Sequence, residues 1–157
     1  MIVYDKLYRA IKTHLNDVLK IKRVDWFNNQ YENFEDNKAI PRRAVFVEIA
    51  DPITWEQMTP NQSGEVRVVL HCMIYDVKES PIRAIEYTQE VFKSLQRKDM
   101  MDSDGNQLTT EMLRTQSAMP KRYDQVKVTT LTFTAQVYDD SSIDDVQSGN
   151  VDFNVNV

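Results

Sequence analysis

The sequence predicts an α+β domain: a single mixed or antiparallel sheet of about five strands with two helices packed on it. Three observations lead there. Residues 3–20 and 81–98 place apolar side chains at helical spacing. Three long runs, RRAVFVEIA, EVRVVLHCMIYD and QVKVTTLTFTAQVYD, are rich in Val and Thr and alternate with period two. The length of 157 residues suits one core, and 41% hydrophobic with 27% charged residues is ordinary globular composition, which indicates neither disorder nor a membrane class.

In chain order, Tyr4, Leu7, Tyr8, Ile11, Leu15, Val18 and Leu19 form one apolar stripe, with Asp5, Lys6, Arg9, Lys12 and Asp17 on the other side. This is the first helix. Ile21, Val24 and Phe27 within KIKRVDWFN make a short strand, followed by a polar loop ending at Pro41. In RRAVFVEIA, Val45, Val47 and Ile49 share one face and Ala44, Phe46 and Glu48 the other, which predicts a strand buried largely on one side. Residues 50–64 hold two prolines and the Ser63-Gly64 pair, so they are expected to form a long loop.

EVRVVLHCMIYD is apolar on both faces, the pattern of a central strand. Ser80 before Pro81 signals the start of the second helix, and Ile82, Ile85, Val91, Phe92 and Leu95 mark its inner face. DMMDSDGNQL is a turn in which Asp104, Gly105 and Asn106 supply positive-φ positions. EMLRTQS reads as a short edge strand and QVKVTTLTFTAQVYD as a long one, giving the order α-β-β-β-α-β-β. The expected core contains Leu7, Ile11, Leu15, Val47, Leu70, Ile85, Phe92, Leu131 and Phe133.

The net charge of −5 divides the chain in two. Residues 1–138 hold 19 acidic and 19 basic side chains and form the predicted domain, whereas residues 139–157 hold five Asp and no Lys or Arg and form an acidic arm. Dispersed cations do not build the basic patch that a nucleic-acid backbone requires, so no specific nucleic-acid binding is expected. No run of ~18 apolar residues exists to span a membrane, and no signal peptide is expected.

Chemistry is tested by residue type. Cys72 is the one cysteine, which rules out an intramolecular disulfide and a cysteine zinc cluster and fits a reducing compartment. His14 and His71 are the two histidines, and His71 and Cys72, as strand neighbours, point to opposite faces and cannot form a thiolate–imidazolium pair. Gly64, Gly105 and Gly149 are too far apart to cradle a phosphate, and Asp99, Asp102 and Asp104 do not fit calcium-loop spacing. No catalytic, cofactor-binding or metal residues are expected. Contact residues are.

The 50–64 loop carries Ile53, Trp55 and Met58, which either meet a partner or, for Trp55, fold back over the open end of the core. In the arm, Val151, Phe153, Val155 and Val157 alternate with polar residues, a strand pattern suited to adding to a sheet edge with Phe153 and Val155 as contacts.

The amphipathic first helix, RRAVFVEIA with its polar loop, GEVRVVLHCMIYD, SPIRAIEYTQEVFKSLQ and DQVKVTTLTFTAQVYD together resemble the tail-terminator and tail-completion proteins of long-tailed bacteriophages and prophages, over residues 1–138. The resemblance implies a structural protein and not an enzyme. It implies a ring of this chain with itself, usually hexameric, that caps the tail-tube protein and offers a surface to a head connector or neck protein. It also implies assembly in the bacterial cytoplasm and residence in the virion tail. Alternatives are another head–tail connector or neck protein, or a small α+β ligand-binding or regulatory domain with its pocket between the second helix and the sheet.

Overall fold

The computed structural model describes residues 3–30, 42–50, 53–57, 62–75, 81–123 and 125–139. In order they form α1 (Val3–Leu19), β1 (Arg23–Trp26), β2 (Arg43–Ala50), β3 (Trp55–Gln57), β4 (Gln62–Tyr75), α2 (Ile82–Leu95), β5 (Leu113–Ser117), β6 (Lys121–Tyr123) and β7 (Val126–Asp139). One seven-stranded sheet follows the path β1-β2-β4-β7-β5, with β3 paired to β4 and β6 to β7. β1 and β2 run parallel and the other pairs antiparallel, so the sheet is mixed and the class is α+β. The main path holds the five expected strands. β3 and β6 are three residues each, too short to display a period in sequence.

β4 is central, as its two apolar faces require. It pairs with β7 from Gln62↔Asp139 to Tyr75↔Val126, and with β2 from Arg67 to Ile74. Alternation sends Val66, Val68, Leu70 and Cys72 toward the helices, where they join Val45, Val47, Leu131 and Phe133 from the flanking strands. Leu7, Ile11 and Leu15 of α1 and Tyr87, Val91 and Leu95 of α2 close this core.

β2 corrects the expectation of one buried side. Ala44 and Phe46 are also fully buried, in a second cluster with Met73, Val126 and Val128 on the opposite sheet face. Period two fixes which residues share a face, but whether that face is covered depends on distant groups, here including Phe27, Tyr75 and Tyr123.

The α2 stripe is also corrected. Its buried residues are Ala84, Tyr87, Thr88, Val91 and Leu95, while Ile85 is 42% exposed, Ile82 is exposed and Phe92 is half-buried. Both stripes have helical spacing, and apolarity alone favoured the isoleucines. Burial of the more polar stripe works because its hydroxyls are satisfied: Tyr87 donates to the Ala44 carbonyl at 2.9 Å and Thr88 to the Ala84 carbonyl at 2.7 Å. Phe92 lies beneath the Arg114 guanidinium, 3.8 Å from its ring centroid. Pro81 is the N-cap and not the first helical residue, and Ser80 lies outside the described residues.

Two loops differ from expectation. Residues 50–64 contain β3, which pairs with Gln62–Gly64 beyond the point where β2 stops, so the stretch is a hairpin and not a strandless loop. In the 99–107 turn, of the three residues Asp104, Gly105 and Asn106 only Gly105 has positive φ, at 83°. The turn is held instead by Asp102, whose Oδ1 accepts from the backbone N–H groups of Asp104 and Asn106.

Candidate interaction surfaces

Of the five contact residues expected from sequence, Ile53 and Trp55 lie within the described residues, and Met58, Phe153 and Val155 lie outside them. Ile53 and Trp55 are half-buried and pack on the edge of the main core. They close over Gly64. A Cβ at that position would stand 2.8 Å from Ile53 Cγ2, 2.9 Å from the Thr54 carbonyl oxygen and 3.2 Å from Trp55 Cε3. The absence of a side chain at residue 64 is what lets the indole reach the sheet.

The histidines and the thiol serve the fold. His14 Nε2 lies 2.8 Å from the Ser94 carbonyl and links α1 to α2, and burial holds the ring below the ordinary histidine range. His71 Nε2 contacts Glu48 Oε2 at 2.7 Å while its ring stacks on Phe27 at 3.8 Å. Burial lowers its pKa too, against the pull of Glu48. Cys72 points to the other side of the sheet, into the main core, where burial pushes the thiol up to about 12 and leaves it unreactive. The space between α2 and the sheet, where a ligand-binding domain would hold its pocket, is packed by Ala84, Tyr87, Val91 and Leu95.

Sequence reasoning missed Trp26. It is the last residue of β1, 42% exposed, and stacks on Tyr8 of α1 with ring centroids 4.4 Å apart and 15° between planes. The Tyr8 hydroxyl donates to the Val24 carbonyl at 3.3 Å, which ties the tyrosine ring to β1, and Gln30 Nε2 donates to the Trp26 backbone carbonyl at 2.6 Å. Arg23 pairs with Asp25, Lys12 approaches Asp25 at 3.8 Å, and the Lys12 ammonium stands 5.8 Å from the Tyr8 centroid. The result is a rigid aromatic platform with a charged rim. The signal was present as a tryptophan at the end of a strand only four residues long, beside a helix that carries Tyr8.

A second surface is an open groove of about 1060 Å³ between α1 and the 99–104 loop. Lys6, Arg9 and Lys12 line one wall and Asp99, Asp102 and Asp104 the other. Asp17 also lines it, so both charge signs meet in the groove with a slight acidic excess, and Asp102 is engaged by its own turn, whose Asn106 and Asp104 N–H groups hold the carboxyl below the usual range. Among the described residues no group of three or more His, Cys, Asp or Glu is placed to hold a metal, and no helix is long and apolar enough to cross a membrane.

These features define a small α+β sheet protein whose described surface offers contact residues: an aromatic platform, a mixed-charge groove and a hairpin closing the core. The fold is shared with a chain in the structure of the virion of native gene transfer agent (GTA) particle. The two superpose with a TM-score of 0.61 at 13% identity, over 87% of this chain and 98% of that one. No protein-family profile and no curated protein matches the sequence.

Proposed function

We propose that this chain is a structural protein of a phage-like particle, acting as a tail-terminator-like ring that caps the tail tube and presents a surface for head attachment. The observation that carries this reading is the likeness to the virion chain, which spans nearly all of that chain and therefore concerns a whole subunit and not a shared motif. The layout that resembles tail terminators in sequence leads independently to the same kind of particle. A ring needs a subunit contact and further partner faces, and the described surface offers the aromatic platform, which runs into the groove through Tyr8 and Lys12, and the β3 hairpin. The partners of this reading are the chain itself as a hexamer, a tail-tube protein and a head-connector or neck protein.

The test is assembly. Purified full-length protein is added to tail tubes polymerised from the tail-tube protein of the same particle. Electron microscopy should show rings at tube ends and tubes that no longer elongate, and sedimentation should show a species near 110 kDa, six chains of 18.4 kDa. Tubes that elongate unchanged while the protein binds an isolated head connector would favour a neck component instead.

A further inference from the structure

We propose that the Tyr8–Trp26 platform is a docking site for the C-terminal arm of a second copy of this chain, with Phe153 seated on the stacked rings and Asp152 against the cationic rim. The proposal rests on the ring reading only in that a ring supplies neighbouring copies.

Three observations carry it. The platform has the composition of a binding hot spot: a partly exposed tryptophan stacked on a tyrosine whose hydroxyl is tied to the Val24 carbonyl. A rigid aromatic surface loses little side-chain entropy when another ring settles on it, and ring pairs favour offset or edge-on contacts that a phenylalanine supplies.

The second observation is charge. Lys12 and Arg23 share the single carboxylate of Asp25 at the rim, leaving a net positive edge. The arm is the complementary segment: residues 139–157 hold five Asp, no Lys or Arg, and one aromatic residue, Phe153, directly after Asp152. An acidic segment with one aromatic anchor matches an aromatic platform with a cationic rim.

The third is reach, which selects a second copy over the same one. Trp26 lies in the row Trp26–Val47–Leu70–Leu131 across four strands, and the described chain ends at Asp139, eight residues further along β7 than Leu131. At about 3.3 Å per residue along a strand and about 4.8 Å between strands, the separation is roughly 30 Å in a straight line through the protein. Fourteen residues, the spacing from Asp139 to Phe153, span only about 20 Å r.m.s. as a random coil, and the path around the surface is longer than the straight line. The arm of an adjacent subunit, entering from outside, avoids this extension.

The experiment uses a fluorescein-labelled peptide of residues 139–157 titrated into the full-length protein, followed by anisotropy. Binding is expected, weakened about tenfold or more by Trp26→Ala in the protein or Phe153→Ala in the peptide. Lys12→Ala should weaken it several-fold and reduce its salt dependence. Equal binding to the wild type and to Trp26→Ala, with Lys12→Ala also silent, overturns the proposal. If a full-length chain that sediments as a monomer excludes the peptide, and removal of residues 140–157 restores binding, each arm occupies its own platform and exchange between copies is refuted; the same exclusion by an oligomeric chain is the exchange itself. Trp26-dependent peptide binding by a protein that never forms rings would sustain the docking site while removing the ring reading, so the two failures remain distinct.

Discussion

Replacing Gly64 by alanine tests how the β3 hairpin is seated on the sheet. The backbone of Gly64 needs no positive φ, so the substitution acts through space alone. The new methyl would approach Ile53 Cγ2 to 2.8 Å, the Thr54 carbonyl oxygen to 2.9 Å and Trp55 Cε3 to 3.2 Å. Ile53 can rotate away, but the Thr54 oxygen belongs to backbone leading directly into the Trp55↔Gly64 pair and moves only if the strand moves. Overpacking of this kind costs ~1–3 kcal/mol. Urea unfolding followed by circular dichroism should show a lower midpoint with an unchanged slope, and emission from the folded variant should shift to the red as Trp55 loses its cover. Gly105→Ala is the control: nothing lies within 4 Å of its added methyl, while its φ of +83° makes alanine unfavourable by about 1 kcal/mol without moving a tryptophan. A Gly64→Ala variant as stable as the wild type, with unshifted emission, would refute the contact between this position and the hairpin.

Leu70→Ala, at the fully buried centre of β4 between Val47 and Leu131, should cost ~2–5 kcal/mol in the same assay, whereas Ile85→Ala on the exposed side of α2 should cost less than about 1 kcal/mol. Similar losses at both positions would mean that the α2 stripe is wrongly assigned. Lys20 ends α1 with φ 56°, a conformation natural to glycine, and Lys20→Gly should raise stability by about 0.5–1 kcal/mol, read as a higher urea midpoint. Stability should also fall on acidification. His14 and His71 are held below the ordinary value of 6.5 in the folded chain, so the unfolded chain binds more protons below that pH. Their contribution is complete above pH 6.5 and is lost as the pH falls from there through the lowered folded values. The double substitution His14→Gln, His71→Gln should flatten the midpoint's dependence between pH 7.5 and 5, and an unaltered slope would contradict the assignment.

Much of the architecture is legible along the chain because it is local. The four-residue recurrence of Leu7, Ile11 and Leu15 specifies both a helix and its inner face, and the two-sided apolarity of residues 65–75 specifies a central strand. The divergence of His71 and Cys72 follows from alternation alone and holds in the fold. The long β7 and the exposed edge strand β5 are likewise readable from Thr-rich and polar period-two patterns.

What the tertiary structure decided concerns choices between local solutions of similar quality. Ile85 and Tyr87 both lie on helical stripes, and the core took the one whose hydroxyl reaches the Ala44 carbonyl. Phe46 lies opposite Val45 and Val47, and only residues brought in from elsewhere make its face buried. Trp55 and Trp26 both sit in short strands that show no period of their own, yet one closes the core over Gly64 and the other remains at the surface beside Tyr8. Periodicity reports the direction in which a side chain points. Burial depends on what stands in that direction, and for Trp26 as for Ile85 the answer lies in the long-range packing of helix against sheet.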